Sequence, residues 1–152
     1  MYPIILTLHS FMRWVVLVFA VIAVGRALLR RGRPWTSGDD DAGKFLTIAF
    51  DVQFTLGVLL YAFLSPFTQA AFVNFSAAMG SPGLRFFAVE HLFGMVVAAG
   101  LIHVGRIKIR KASGDRRRHT LALIFFGLAL LIMLGSIPWP GMPAARPLIR
   151  RF

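Results

Sequence analysis

Two histidines lie at matched positions inside apolar stretches of this chain. His9 lies shortly after the start of the first stretch at Pro3, and His91 shortly after the start of the third at Leu84. If these stretches cross a membrane in alternating directions, both imidazoles lie about 9–11 Å from the same surface, at ~1.5 Å per helical residue. Ionisable side chains inside a membrane are costly and usually mark a site. Two imidazoles at one height on different helices could hold one planar cofactor between them.

Four apolar stretches would position these histidines. The chain has 152 residues, of which 57% are hydrophobic. The apolar residues are concentrated in residues 3–29, 45–64, 84–104 and 120–137. Each stretch has about the ~20 residues that a bilayer core requires. The first lacks a basic amino-terminal region and a small-residue cleavage site, which favours a retained span over a signal peptide. We predict one all-α domain over residues 1–152, an up-down-up-down integral membrane four-helix bundle.

The distribution of charge predicts the orientation of the bundle. The first and third connections are rich in arginine and lysine, whereas the second connection, residues 65–83, contains neither. By the positive-inside rule, the basic connections face the cytoplasm and both termini face outward, as in a bacterial inner-membrane protein. Arg146, Arg150 and Arg151 oppose this bias but are fewer. We therefore attribute the net charge of +11 to loops that touch anionic lipid headgroups, not to nucleic-acid binding.

The connections and the carboxyl-terminal tail also predict local structure. Asp39 to Asp41 could cap the second helix at its amino end. In the outer loop, Phe67, Phe72 and Phe75 occur among polar residues, which predicts a short interfacial helix that anchors the protein or contacts a quinone. After the fourth span, Pro138, Pro140 and Pro143 lie within six residues and predict a non-helical tail.

Charged residues near the histidines suggest how an acidic cofactor could be held. Arg13 is four residues after His9 and therefore shares its helix face. Arg13 could form an ion pair with Glu90, or it could bind an acidic cofactor group such as a haem propionate, because guanidinium binds carboxylates in a bidentate way. Arg85 is a second candidate for the same role.

The composition also narrows the chemistry of the site. Neutral histidine pairs are common axial ligands of b-type haem. Because the sequence has no cysteine, thiolate metal sites and covalent c-type haem attachment are excluded. Gly94 and Ala98 share the face of His91, and such small residues allow either a macrocycle or another helix to approach closely. Alternatively, His9 and His91 could bond to each other or to Glu90.

A second polar group lies nearer the opposite surface. His103 does not share the helix face of His91, because twelve residues correspond to about 120° of rotation. It could bind a second haem, or it could form a pair with Asp51 that handles protons or stabilises the structure. We favour the pair with Asp51. His119 is expected at the membrane edge with no special task.

Several segments give the chain a family resemblance. They are His9-Ser10-Phe11-Met12-Arg13-Trp14, Gln53 with Leu59-Leu60-Tyr61 and Ser65-Pro66, Arg85-Phe86-Phe87-Ala88-Val89-Glu90-His91, His103-Val104-Gly105-Arg106 and Gly135-Ser136-Ile137-Pro138-Trp139. Over nearly its whole length the chain resembles small four-span bacterial membrane proteins of the cytochrome b-like type. The resemblance implies haem and points to His9, Arg13, Glu90, His91 and His103. Asp51 stands where some of those proteins have a different polar residue.

Three functions are compatible with the sequence. The leading hypothesis is a membrane b-type cytochrome, with haem b held between spans one and three by His9 and His91 and electrons exchanged with quinol or an outer-side carrier. The second is a metal-ion or proton-coupled transporter that uses Glu90, His91 and His9 and works as a homo-oligomer. The third is a non-catalytic subunit of a larger respiratory or photosynthetic complex.

Overall fold

The computed structural model describes residues 1–148, and every regular element there is a helix. Helix α1 covers Tyr2–Leu29, and α2 covers Ser37–Leu59 and continues through a π-helical turn, Leu60–Leu64. Three short helices follow, α3 (Pro66–Val73), α4 (Phe75–Gly80) and α5 (Pro82–Arg85). A second π-helical turn, Phe86–Glu90, leads into α6 (His91–Lys111), and α7 covers Asp115–Gly135.

Four helical segments are long and apolar enough to cross a membrane. They are Tyr2–Leu29, Ser37–Leu64, Pro82–Lys111 and Asp115–Gly135. The prediction of a four-helix multi-pass membrane protein in contact with the lipid bilayer is confirmed. At the ends with charged residues, the second and third helices extend beyond the predicted apolar stretches, and there Arg106 pairs with Asp40 at 2.8 Å.

The two ends of the bundle differ in character. We call the end with the first turn of α1 and the α2–α6 connection the histidine end, and the end with the α1–α2 and α6–α7 connections the basic end. At the basic end, Thr36 and Asp39 form a capping box that starts α2, as the sequence predicts for this acidic run. Asp39 also forms ion pairs with Arg26 at 2.9 Å and Arg30 at 3.3 Å. These contacts fix the end of α1 against the start of α2.

The spans form a ring in the order α2, α1, α7, α6, and among the four neighbouring pairs of this ring α2 and α6 make the least contact. Small buried residues allow the close approach, among them Ala20, Ala23 and Ala27 on α1. At Gly105 of α6, an added Cβ would lie 2.6 Å from the Cβ of Phe125 on α7, so only glycine fits that contact. Large apolar side chains cover the outside of the bundle, which suits a surface in contact with lipid.

The α2–α6 connection and the tail cover the histidine end. The sequence predicts one short helix in this connection, and the structure forms three, α3 to α5. The tail after α7 is non-helical, as predicted, and it folds back so that Arg13 Nη2 donates to the carbonyl of Leu148 at 2.6 Å. Arg150 and Arg151, which oppose the charge bias, lie outside the described residues.

Candidate cofactor site

The structure brings His9 and His91 together. His9 lies on α1, and His91 is the first residue of α6, directly after a π-helical turn. Their ring centres are 6.3 Å apart and their planes are inclined by 74°. A metal–nitrogen bond is about 2 Å long, so two imidazoles on opposite sides of one metal ion have ring centres about 6 Å apart. The observed separation therefore suits a single metal ion between the two rings.

One hydrogen bond fixes the orientation of His91. Its Nδ1 lies 2.7 Å from the carbonyl oxygen of Ser136, at the end of α7. Because a carbonyl only accepts, Nδ1 carries the proton and Nε2 keeps the lone pair that a metal ion needs. Backbone carbonyls commonly orient metal-ligating histidines in this way.

His9 and Gln53 form a second polar group at the site. The Gln53 side-chain nitrogen lies 3.3 Å from His9 Nε2. Within residues 1–148, His9 Nδ1 and Gln53 Oε1 are buried and have no hydrogen-bond partner. If the Gln53 amide turns through 180°, its oxygen accepts from the Nε2–H of His9 and leaves Nδ1 with a free lone pair. Buried polar atoms of this kind are normally satisfied by a ligand or by water.

The two histidines line a cavity of about 140 Å³. Its wall is mainly apolar and includes Leu6, Phe50, Leu60, Phe87, Met95 and Ile137. Ligand sites are typically roughly 300–1,000 Å³, so a macrocycle would enter only with movement of lining side chains, of which the unbranched Met95 is the most adaptable. A smaller cavity bordered by the same histidines lies between α2 and α6.

The small residue beside the histidines is Gly57. A Cβ at this position would lie 3.1 Å from His9 Cε1, so the absence of a side chain makes room for the ring. The sequence suggests Gly94 for such a role, but Gly94 lies against the side chain of Ser136. Gly94 therefore serves the packing of α6 on α7.

Among the residues that the structure describes, two arginines line the cavity, Arg13 and Arg146. The Arg146 guanidinium lies 4.2 Å from the ring centre of Phe67 and 5.1 Å from that of Phe87. Arg146 is a candidate that sequence reasoning missed, because it lies in the tail and stood out only as an exception to the charge bias. Pro138, Pro140 and Pro143, which prevent α7 from continuing, were the one available signal that the chain turns there.

Arg85 and Glu90, both predicted as cofactor-binding residues, do not line the cavity. They pair with each other at 2.7 Å, with side chains 46% and 47% exposed. The intervening π-helical turn accounts for this pair, because its i to i+5 geometry brings residues five apart close together. Glu90 therefore pairs with Arg85 and not with Arg13 or the histidines.

The predicted pair of Asp51 and His103 is confirmed. His103 Nε2 lies 2.9 Å from Asp51 Oδ1, and both side chains are about half exposed on the outside of the bundle. Neither residue lines the cavity of His9 and His91.

His119 differs from its predicted place at the membrane edge. It is fully buried, and its ring centre lies 4.8 Å from that of Trp35. Because α7 begins at Asp115, His119 falls on the buried face with Ala122 and Phe126, three and seven residues further on.

The ligands of the transporter hypothesis do not converge. Within residues 1–148 no group of three or more histidine, aspartate or glutamate side chains could hold a metal ion. The donor set of His9 and His91 alone suits an iron whose remaining ligands come from a macrocycle. Comparisons of the chain with protein-family models, curated proteins and solved structures found no match.

Proposed function

We propose that this protein is a membrane b-type cytochrome that binds haem b between α1 and α6 and exchanges electrons with quinol or a small carrier at the histidine end. We place it in a bacterial inner membrane with its basic connections in the cytoplasm, on the positive-inside rule. When bound, haem supplies a one-electron redox centre, and the protein sets its ligands, burial and access.

The residues of the chain have distinct roles in this proposal. His9 and His91 would supply the two nitrogen ligands of the haem iron. The Ser136 carbonyl holds the proton on His91 Nδ1, and Gln53 orients the His9 ring. Arg13 and Arg146 face the cavity with charges that suit the two carboxylates of the macrocycle.

The observation that best supports the proposal is the 6.3 Å separation of the two imidazoles at one cavity. The alternative of two histidines bonded to each other is less suited to the geometry. His91 Nδ1 already bonds to Ser136, and His9 Nδ1 bonds to nothing in the described part of the chain. Desolvated imidazole nitrogens normally have a partner.

Visible absorbance of the purified protein tests the proposal. Protein expressed with ample haem is expected to show a Soret band and, after dithionite reduction, an α-band. His9→Ala and His91→Ala should each abolish these bands, whereas His103→Ala is the matched control and should retain them. A wild-type protein without these bands, or bands that persist in both variants, would refute the proposal.

Imidazole rescue separates loss of a ligand from loss of the fold. Imidazole added to His91→Ala can occupy the space of the missing ring and should restore the Soret band if the cavity is intact. A variant that retains helical circular dichroism but gives no band with imidazole would count against His91 as a ligand.

A further inference from the structure

The exposed pair of Asp51 and His103 lies within the membrane-spanning part of the bundle. Asp51 is seven residues from Lys44, about 10 Å along α2. His103 is three residues, about 4.5 Å, from Arg106, which pairs with Asp40, and five residues, about 7 Å, from Lys108 along α6. Their side chains are 52% and 49% exposed. A carboxylate and an imidazole at this depth are costly against hydrocarbon, and such residues normally face protein.

The pair retains unused hydrogen-bonding capacity. His103 Nε2 and Asp51 Oδ1 bond to each other, while His103 Nδ1 and Asp51 Oδ2 make no bond within residues 1–148. A protonated imidazole donates from both ring nitrogens, and a carboxylate accepts at both oxygens. With the imidazole protonated beside its carboxylate, the surface offers one free donor, His103 Nδ1, next to one free acceptor, Asp51 Oδ2. A twofold axis would place the donor of each copy against the acceptor of the other.

The surroundings of the pair permit close approach of another helix. Gly100 is one turn before His103, and an added Cβ there would have no neighbour within 4 Å. Among neighbouring spans, α2 and α6 make the least contact. Exposed apolar residues lie near the pair on these two helices, namely Ile48, Val52, Val104 and Ile107.

We propose that the face formed by Asp51, Gly100 and His103 binds a second copy of this chain in a twofold-symmetric dimer. A second copy presents a donor and an acceptor at the required depth by symmetry, whereas a different protein would need an independent matching pair. Reciprocal His103–Asp51 bonds and the packing at Gly100 then remove both polar groups from lipid.

Single-molecule photobleaching in liposomes tests the dimer. The sequence has no cysteine, so Gly32→Cys introduces a unique dye site in the exposed α1–α2 connection, where an added Cβ has no neighbour within 4 Å. Protein labelled there should show two bleaching steps at protein-to-lipid ratios where independent monomers would show one. In this background, Asp51→Ala and His103→Ala should each weaken association about tenfold. The double variant Asp51→His with His103→Asp, in which the two side chains exchange places, should associate as tightly as the parent protein.

The exposed ion pair of Arg85 and Glu90 supplies the matched control. Arg85 and Glu90 are exposed to a similar extent, so Arg85→Ala in the same background should leave association unchanged. Single steps at every protein-to-lipid ratio would overturn the proposal, as would equal weakening by Arg85→Ala and Asp51→Ala. Association that requires added membrane extract would also overturn it, because the partner would then be a different protein. The photobleaching result does not depend on haem.

Discussion

Gly57 offers a sharp test of the proposed site, because a substitution there acts on His9 without touching any ligand atom. An alanine Cβ would lie 3.1 Å from His9 Cε1, whereas the best carbon–carbon separation is about 3.5–4.0 Å. The ring must therefore retreat by roughly 0.4 Å, close to the ~0.5 Å tolerance of a ligating geometry. We expect Gly57→Ala to weaken haem binding about threefold to tenfold. We expect Gly57→Val, which is bulkier, to weaken it about 100-fold.

The same substitution should have the opposite effect on the stability of the haem-free protein. Gly57 lies in the last part of α2, where replacing glycine by alanine gains about 0.5–1 kcal/mol through backbone entropy. Strain at the His9 contact offsets some of this gain. The thermal midpoint of the haem-free Gly57→Ala protein should therefore equal or exceed that of the wild type, so weaker haem binding cannot be ascribed to unfolding.

Haem titration of the haem-free protein, followed at the Soret band, measures this effect. Gly127→Ala is the control, because it brings the same helical gain and meets no neighbour within 4 Å. It should leave the haem affinity and spectrum unchanged. If Gly57→Ala and Gly57→Val bind haem as tightly as the wild type, with the same spectrum, then His9 is not a ligand and the reasoning fails.

Three further predictions concern charged and buried groups. Asp39→Ala should lower the free energy of unfolding by about 3 kcal/mol, because it removes a helix cap and two ion pairs made by a side chain that is only 2% exposed. Asp41→Ala, at an exposed position, is the control and should change the free energy of unfolding by less than about 0.5 kcal/mol. Denaturant titration measures both values. His119→Leu should leave the free energy of unfolding unchanged or raise it by about 1 kcal/mol, because both imidazole nitrogens lack partners within residues 1–148. A clear decrease, measured by thermal unfolding, would show that the ring has a polar partner such as buried water. Arg146→Ala should raise the dissociation constant for haem about tenfold in a haem titration, because it removes a positive charge at the cavity. Arg85→Ala is the control and should leave the dissociation constant unchanged. Equal effects would contradict the assignment of Arg146 to the cavity.

The local order of residues determined the main features of this protein. Apolar runs of membrane-spanning length and basic connections are properties of neighbouring residues, so the four helices could be predicted directly. The depth of a residue in a span follows from counting along the helix, which is why the Asp51–His103 pair could be anticipated and His9 and His91 placed at one level.

Only the tertiary structure decided which side chains meet at the cavity. Gly57, Gln53 and the Ser136 carbonyl reach the histidines because of how α2 and α7 are rotated about their axes. That rotation is set by the packing of small residues between helices, which no local pattern encodes. The path of the tail, which brings Arg146 to the cavity, likewise depends on contacts between residues far apart in the chain.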